Sequence, residues 1–208
     1  FAVIDTRLRE LTTASMLPVR NTLLRLCLTE QPLLKRLPKL DLPVLRDLLL
    51  HKNGIESLAG RPFDGCPQVQ RLWLQSNRIS RLEGLDALGD LRELWVQDNA
   101  LESVHGVESL GSLQVLNVAA NPLGDLREVH RVGHLDSLRS VSFEDPHYGQ
   151  CPLCLAEGYR AFVLASLPNL RSLDGDAVDE EDRADAREDL ASRARRFADS
   201  AAAIAREH

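Results

Sequence analysis

A leucine pattern that recurs every 22–25 residues constrains this chain more than any other feature of its sequence. The pattern reads Leu-x-x-Leu-x-Leu-x-x-Asn-x-Ile/Leu, with good copies starting at positions 45, 69, 91 and 113. Weaker copies start at positions 23 and 138, where Gln31 and Pro146 replace the asparagine. The 208 residues include 39 leucines, and 16 of them occupy positions of this pattern. A fixed period of this length indicates stacked structural repeats that share one continuous core.

The pattern is identified as the leucine-rich repeat, and it predicts an α/β solenoid. Each copy supplies a short strand whose alternate leucines point inward. The strands form a curved parallel sheet on the concave face, and 22 residues leave room only for short helical or 3₁₀ turns on the convex face. We expect about six repeats over residues 23–144. The asparagine column is interpreted as structural, with its amides bonding backbone groups that the strands leave unpaired; its members are Asn53, Asn77, Asn99 and Asn121.

Segments on either side of the repeats are predicted to cover the ends of the array. Residues 1–22 form an amino-terminal helix or linker, residues 145–175 a carboxyl-terminal cap with helical structure, and residues 176–208 a charged helix. Pro168 divides the cap into a helix and a strand-like piece. An apolar stripe on the terminal helix comprises Leu190, Ala194, Phe197, Ala201 and Ile204. The helix either packs this stripe on the array or frays into solvent; the alternative is that it continues into a partner or a following coiled coil.

Charge and composition restrict the classes of partner and the compartment. The net charge is −6, and residues 174–208 alone carry 11 acidic and 6 basic side chains, so the body is near neutral. A near-neutral body predicts no nucleic-acid binding, and the lack of a long apolar run predicts no membrane span. Scattered cysteines indicate a reducing, cytoplasmic compartment. The chain begins at Phe1 rather than Met, so we expect it to be part of a longer protein.

Both tryptophans of the chain fall in one column of the repeat. The residue between the two inward leucines of each strand must point to the concave face, because side chains alternate along a strand. Trp73 and Trp95 occupy this position on adjacent repeats, with Leu49 in the repeat before them. The core does not need these rings, and tryptophan is enriched among residues that dominate protein binding. We therefore predict that a protein partner binds the concave face.

Polar residues flank this aromatic centre, as at the rim of a protein interface. The predicted binding surface comprises Leu49, Trp73, Trp95, Arg71, Glu93, Gln75, Gln97, Asp98 and His51. One alternative is that the amino-terminal segment or the tail helix covers the tryptophans within the chain. Another is the stacking of single-stranded nucleic acid, which would require a basic groove.

Sites for chemistry are scarce in this sequence. His147, Cys151 and Cys154 supply three zinc-type ligands, but a single Cys-x-x-Cys is a weak signal and zinc usually takes four. Two small thiols in a capping loop are the favoured interpretation. No catalytic or phosphate-binding motif is present, so we predict neither an enzyme nor a cofactor.

The carboxyl-terminal segment resembles the cap of an intracellular class of leucine-rich repeat proteins. The segment Leu-Pro-x-Leu-x-x-Leu-Asp spans residues 167–174. This class includes a protein phosphatase 1 regulatory subunit, the spliceosomal A-prime protein and axonemal dynein light chain 1. More narrowly, residues 145–164 look like the cap of the family of leucine-rich repeat-containing protein nine, a similarity that covers about residues 45–180. That resemblance implies a ciliary or axonemal scaffold, and the wider class implies a phosphatase regulator as the alternative; neither carries over a catalytic residue.

Overall fold

The computed structural model of the protein describes residues 17–30 and 35–206. Most of the amino-terminal helix or linker predicted over residues 1–22, and the Leu33 position of the first repeat, lie outside these residues. The described chain begins with a 3₁₀ turn at Leu17–Val19. Within the part of the chain that the structure describes, no helix is both long and apolar enough to cross a bilayer.

Six short strands, one from each predicted repeat, form a parallel sheet in chain order. They are β1 (Arg25–Cys27), β2 (Asp47–Leu49), β3 (Arg71–Trp73), β4 (Glu93–Trp95), β5 (Val115–Asn117) and β6 (Ser140–Ser142). The middle residue of every strand lies in one register row and is completely buried. Because neighbours on a strand alternate, the first and third residues of each strand face away from this core.

The chain returns to the next strand through single turns rather than helices. Between β3 and β4, the amides of Leu88 and Leu91 donate to carbonyl oxygens three residues earlier, at 2.9 and 3.0 Å. Leu82, Leu85 and Leu88 are fully buried along this return. The hydrogen bonds are of the predicted 3₁₀ type, and in the return between β5 and β6 the described chain forms a short helix, α1 (Glu128–Val132).

The hydrogen bonds of the asparagine column confirm that its role is structural. The side-chain amide of Asn77 donates to the carbonyl oxygens of Leu50 and Leu74, at 2.9 and 2.8 Å. Its Oδ1 accepts from the amide of Ile55 at 3.1 Å. Asn53, Asn99 and Asn121 also donate to carbonyl oxygens of their own and the preceding repeat. The column therefore links successive repeats along the edge where the strands end.

A compact carboxyl-terminal cap closes the array. It contains a hairpin of β7 (Glu144–Asp145) and β8 (Gly149–Gln150), a 3₁₀ turn (Pro152–Leu155), α2 (Tyr159–Ser166) and β9 (Ser172–Leu173), which pairs with β6. The prediction of a helix and a strand on either side of Pro168 is confirmed. Asp174 ties the cap together: Oδ1 accepts from the amides of Phe143 and Glu144, and Oδ2 accepts from the Tyr159 hydroxyl at 2.7 Å.

The terminal helix begins later than the sequence predicts. Asp176 and Ala177 form β10, antiparallel to β9, and the helix α3 spans Glu180–Arg206. Asp179 and Asp182 exchange side-chain to amide hydrogen bonds at 2.9 and 3.0 Å, which is a reciprocal cap that fixes the helix start. The first half of α3 packs against α2, with Ala186 buried.

Candidate protein-binding surface

The two tryptophans lie side by side on the concave face. Trp73 and Trp95 are register partners on β3 and β4, and Leu49 and Asn117 are their partners on the flanking strands. Adjacent strands lie about 4.8 Å apart, so the two indoles share one patch. Both rings are half-buried, whereas the middle residues of the same strands are completely buried. The column predicted from the sequence is therefore confirmed in its register and its direction.

A buried carboxylate organises the charged side of this patch. Asp47 is only 6% exposed and accepts hydrogen bonds from two guanidinium groups. Arg25 donates from Nε at 2.9 Å, and Arg71 donates from Nε and Nη2 at 2.6 and 2.9 Å. The hydrogen bonds to Asp47 raise the pKa of Arg71, although burial opposes them. Two charge-assisted contacts to Asp47 thus fix the direction of the Arg71 side chain.

A charged side chain lies against each of the two indole rings. The Arg71 guanidinium carbon lies 5.8 Å from the centroid of the Trp73 ring, within the range of a cation–π interaction. The Trp95 indole N–H donates to Glu93 Oε2 at 3.4 Å. Each tryptophan therefore has a charged neighbour on its own strand. A surface whose aromatic groups are already oriented loses less side-chain entropy when a partner binds.

The next column along the strands carries polar side chains. His51, Gln75 and Gln97 follow β2, β3 and β4, and Gln97 is buried. His51 Nδ1 and the Oε1 atoms of both glutamines are buried and have no hydrogen-bond partner in the described part of the chain. Burial lowers the pKa of His51, with a further contribution from Lys52, and Glu30 opposes both. These side chains give the patch a polar border.

Asp98 lies apart from the other predicted site residues. It is exposed in the turn after β4, with a φ of 55°, and its amide donates to the carbonyl of Ala119. The structure therefore brings together the strand residues of the predicted set and places Asp98 at their rim. Asp47, which orients Arg71, was missing from the predicted set. Its signal was the alternation of charge down one column, Arg25, Asp47 and Arg71.

The cysteine loop offers no assembled metal site. Cys151 is buried and its Sγ donates to the carbonyl of Val118 at 3.2 Å, whereas His147 is exposed in the neighbouring hairpin. Burial raises the pKa of the Cys151 thiol to about 12 and that of Cys154 to about 11. Among the residues described, no three His, Cys, Asp or Glu side chains lie close enough to hold a metal ion.

Comparison with known proteins agrees with this architecture. Residues 43–101 match the family model described as "Leucine rich repeat". The solenoid is a leucine-rich repeat array. Two solved structures share the fold of the array, each covering 74% of this chain. An internalin (inlF) from Listeria monocytogenes has a TM-score of 0.56 at 20% identity, with 41% of that chain covered. A chain of the Drosophila melanogaster SNF/U2A' complex has a TM-score of 0.54 at 21% identity, with 78% covered.

One curated protein that is similar in sequence to this chain is named as an axonemal assembly factor. "Dynein axonemal assembly factor 11" of Trypanosoma brucei brucei is 38% identical over 147 residues. The alignment covers 69% of this chain and 36% of the relative, so the chain spans about a third of that protein's length. The predicted leucine-rich repeat fold is confirmed by these matches.

Proposed function

We propose that the leucine-rich repeat array is a non-enzymatic scaffold that binds a protein partner through its concave face. The observation that carries this proposal is the position of Trp73 and Trp95, side by side on the face that the core does not use. Arg71 and Glu93 orient the two rings. Aromatic anchors surrounded by polar side chains are typical of the centre of a protein interface.

The proposed setting is a larger cytoplasmic assembly of the cilium or axoneme. Two arguments support it: the sequence resemblance in the cap, and the name of the trypanosomal relative. In this setting the array contributes binding and not catalysis. The alternative is a regulatory subunit of a protein phosphatase of type 1, which would use the same concave face.

The carboxyl-terminal segment, residues 176–208, is proposed as an additional contact. Leu190 packs against the core, but Phe197, two turns further along α3, is 78% exposed. The half of the helix beyond Leu190 therefore has an apolar side chain that the described part of the array does not cover. Replacing Phe197 with Glu tests this contact separately from the concave face.

The experiment is partner capture from ciliated cells with matched variants of the full chain. We expect Trp73→Ala/Trp95→Ala to lose the partner, with affinity falling by about 100-fold, since loss of an interface anchor costs about 2 kcal/mol or more. The control is Tyr148→Ala/Leu155→Ala, which removes exposed apolar groups from the cap and leaves the concave face intact. Retention of wild-type affinity in the double tryptophan variant would refute the proposal. Stoichiometric recovery of an active phosphatase would favour the alternative.

A further inference from the structure

A row of arginines borders the concave sheet at the edge where the strands begin. Immediately before each strand, a backbone amide donates to the carbonyl of the equivalent residue one repeat earlier, at 2.7–2.9 Å. This series of hydrogen bonds places six side chains next to one another along the solenoid: Arg46, Gln70, Arg92, Gln114, Arg139 and Arg171. Four are basic and none is acidic. The row is a local exception in a chain whose net charge is −6.

The charges of this row are largely available to a ligand. Arg46, Arg92 and Arg171 are exposed, and none of them forms an ion pair within the described ranges. Arg139 donates to the backbone carbonyls of Asp136 and Leu138, at 2.6 and 2.9 Å, and to no described carboxylate. In the neighbouring column of the sheet, by contrast, Asp47 pairs with both Arg25 and Arg71.

The spacing of the row fits an α-helix. Arg46 and Arg92 are two repeats apart, as are Arg92 and Arg139, so each pair of Cα positions is separated by about 10 Å. A helix rises about 10.5 Å in seven residues and returns to the same face. In an extended chain, a residue about 10 Å further along is the third one and points to the opposite side. Acidic residues seven positions apart on a helix thus match the alternating arginines.

One helix is also wide enough to reach the tryptophans. Gln70 in the row precedes β3, and it and Arg71 are both half-buried after the buried Val69, so the alternation of the strand does not extend to the row. The backbone positions of Gln70 and Trp73 are about 10 Å apart. An α-helix with its side chains is about 10–12 Å in diameter. A helix laid along the solenoid can therefore direct one face to the arginines and an adjacent face to the indoles.

We propose that the concave face binds an acidic amphipathic α-helix of a partner protein. Asp or Glu residues seven positions apart lie opposite Arg46 and Arg92, and apolar side chains of the same helix contact Trp73 and Trp95. The contact of the helix with Trp73 and Trp95 rests on the proposed function. The acidic character of the helix is inferred independently, from the arginine row. A nucleic acid fits the surface less well, because Asp47 and Glu93 lie in the next column and Glu93 would repel phosphates.

The test is selection from a display library of random amphipathic helical peptides, with the full chain as target. We expect the selected peptides to carry acidic residues at seven-residue spacing. Their affinity should fall by about tenfold in Arg46→Glu/Arg92→Glu, since two partly exposed ion pairs become repulsive. It should also fall between 50 and 500 mM salt, where screening shortens the range of exposed charges. The matched control is Arg78→Glu/Arg81→Glu, which reverses two exposed arginines outside the row and should preserve affinity.

The two proposals can fail separately in this experiment. Peptides that need both tryptophans but show no acidic enrichment, and bind Arg46→Glu/Arg92→Glu normally, would overturn the acidic-helix inference and leave the proposed function intact. Peptides that tolerate loss of both tryptophans would count against the proposed function. Failure to select any helix, or tighter row-dependent binding of a single-stranded oligonucleotide than of any peptide, would overturn the inference.

Discussion

Replacing Asn77 with Ala tests whether the asparagine column stabilises the array. Asn77 is 8% exposed and makes three hydrogen bonds of 3.1 Å or less to backbone groups of two repeats. Alanine removes all three. The three backbone groups do not contribute equally to the expected loss of stability, because only some of them keep another hydrogen bond in the variant.

The carbonyl groups keep a second donor, whereas the amide does not. Leu50 O still accepts from Asn53 at 2.7 Å, and Leu74 O still accepts from Asn99 at 3.0 Å. The Ile55 amide loses its hydrogen bond to Asn77 in a buried position, which costs about 1–3 kcal/mol. With a smaller loss for the two carbonyl contacts, we expect a decrease of about 2–4 kcal/mol in the free energy of unfolding.

The assay is equilibrium urea unfolding followed by circular dichroism, together with thermal unfolding. A loss of this size should lower Tm by roughly 4–16 °C for a chain of this length. Asn169→Ala is the control, because Asn169 is exposed in a turn of the cap. The reasoning would be wrong if Asn77→Ala unfolded within about 0.5 kcal/mol of the wild type, which is the usual range of surface substitutions.

Three further substitutions test other parts of the structure. Gly106→Ala should lower the free energy of unfolding by about 1–3 kcal/mol, because φ is +108° and a Cβ would meet the backbone of the preceding repeat; Gly111→Ala, where space is open, should not. Tyr159→Phe should cost about 1.5–3 kcal/mol through loss of a hydrogen bond to a carboxylate, measured by urea unfolding, whereas the exposed Tyr148 should tolerate the same change. In the folded chain the pKa of His51 is lowered from its ordinary value of 6.5. As the pH decreases through 6.5, the unfolded chain therefore binds a proton before the folded chain does, and the free energy of unfolding should decrease. His51→Gln should reduce this dependence of the urea midpoint between pH 7.5 and 5.5, and an unchanged dependence would contradict the assignment.

The sequence predicts the solenoid well because each element of it is periodic. A buried leucine row, an outward column and an asparagine column each follow from the repeat and the alternation of a strand. The register of Trp73 beside Trp95 follows in the same way, since one period separates the two residues. Local chemistry also predicts the break at Pro168, because proline ends a helix.

Features that depend on contacts outside the repeat pattern could not be predicted from the sequence. The burial of Asp47 between two arginines follows from the distance between neighbouring strands rather than from any motif. The strand Asp176–Ala177 forms because the turn at Asp174 and Gly175, with φ of 55° and 92°, folds the chain back onto β9. Its charged, helix-like composition gave no sign of this pairing. The exposure of Phe197 likewise depends on where α3 leaves α2.

Acrylamide quenching of tryptophan fluorescence tests the central claim most directly, because Trp73 and Trp95 are the only tryptophans of the chain and both lie on the concave face. The protein is titrated with its captured partner, or with a selected helical peptide that lacks tryptophan, and the quenching constant is measured at each step. If the partner covers the concave face, the quenching constant falls in parallel with occupancy and reaches a plateau at saturation. A partner that saturates the chain while the quenching constant stays at its free value would show that binding occurs elsewhere.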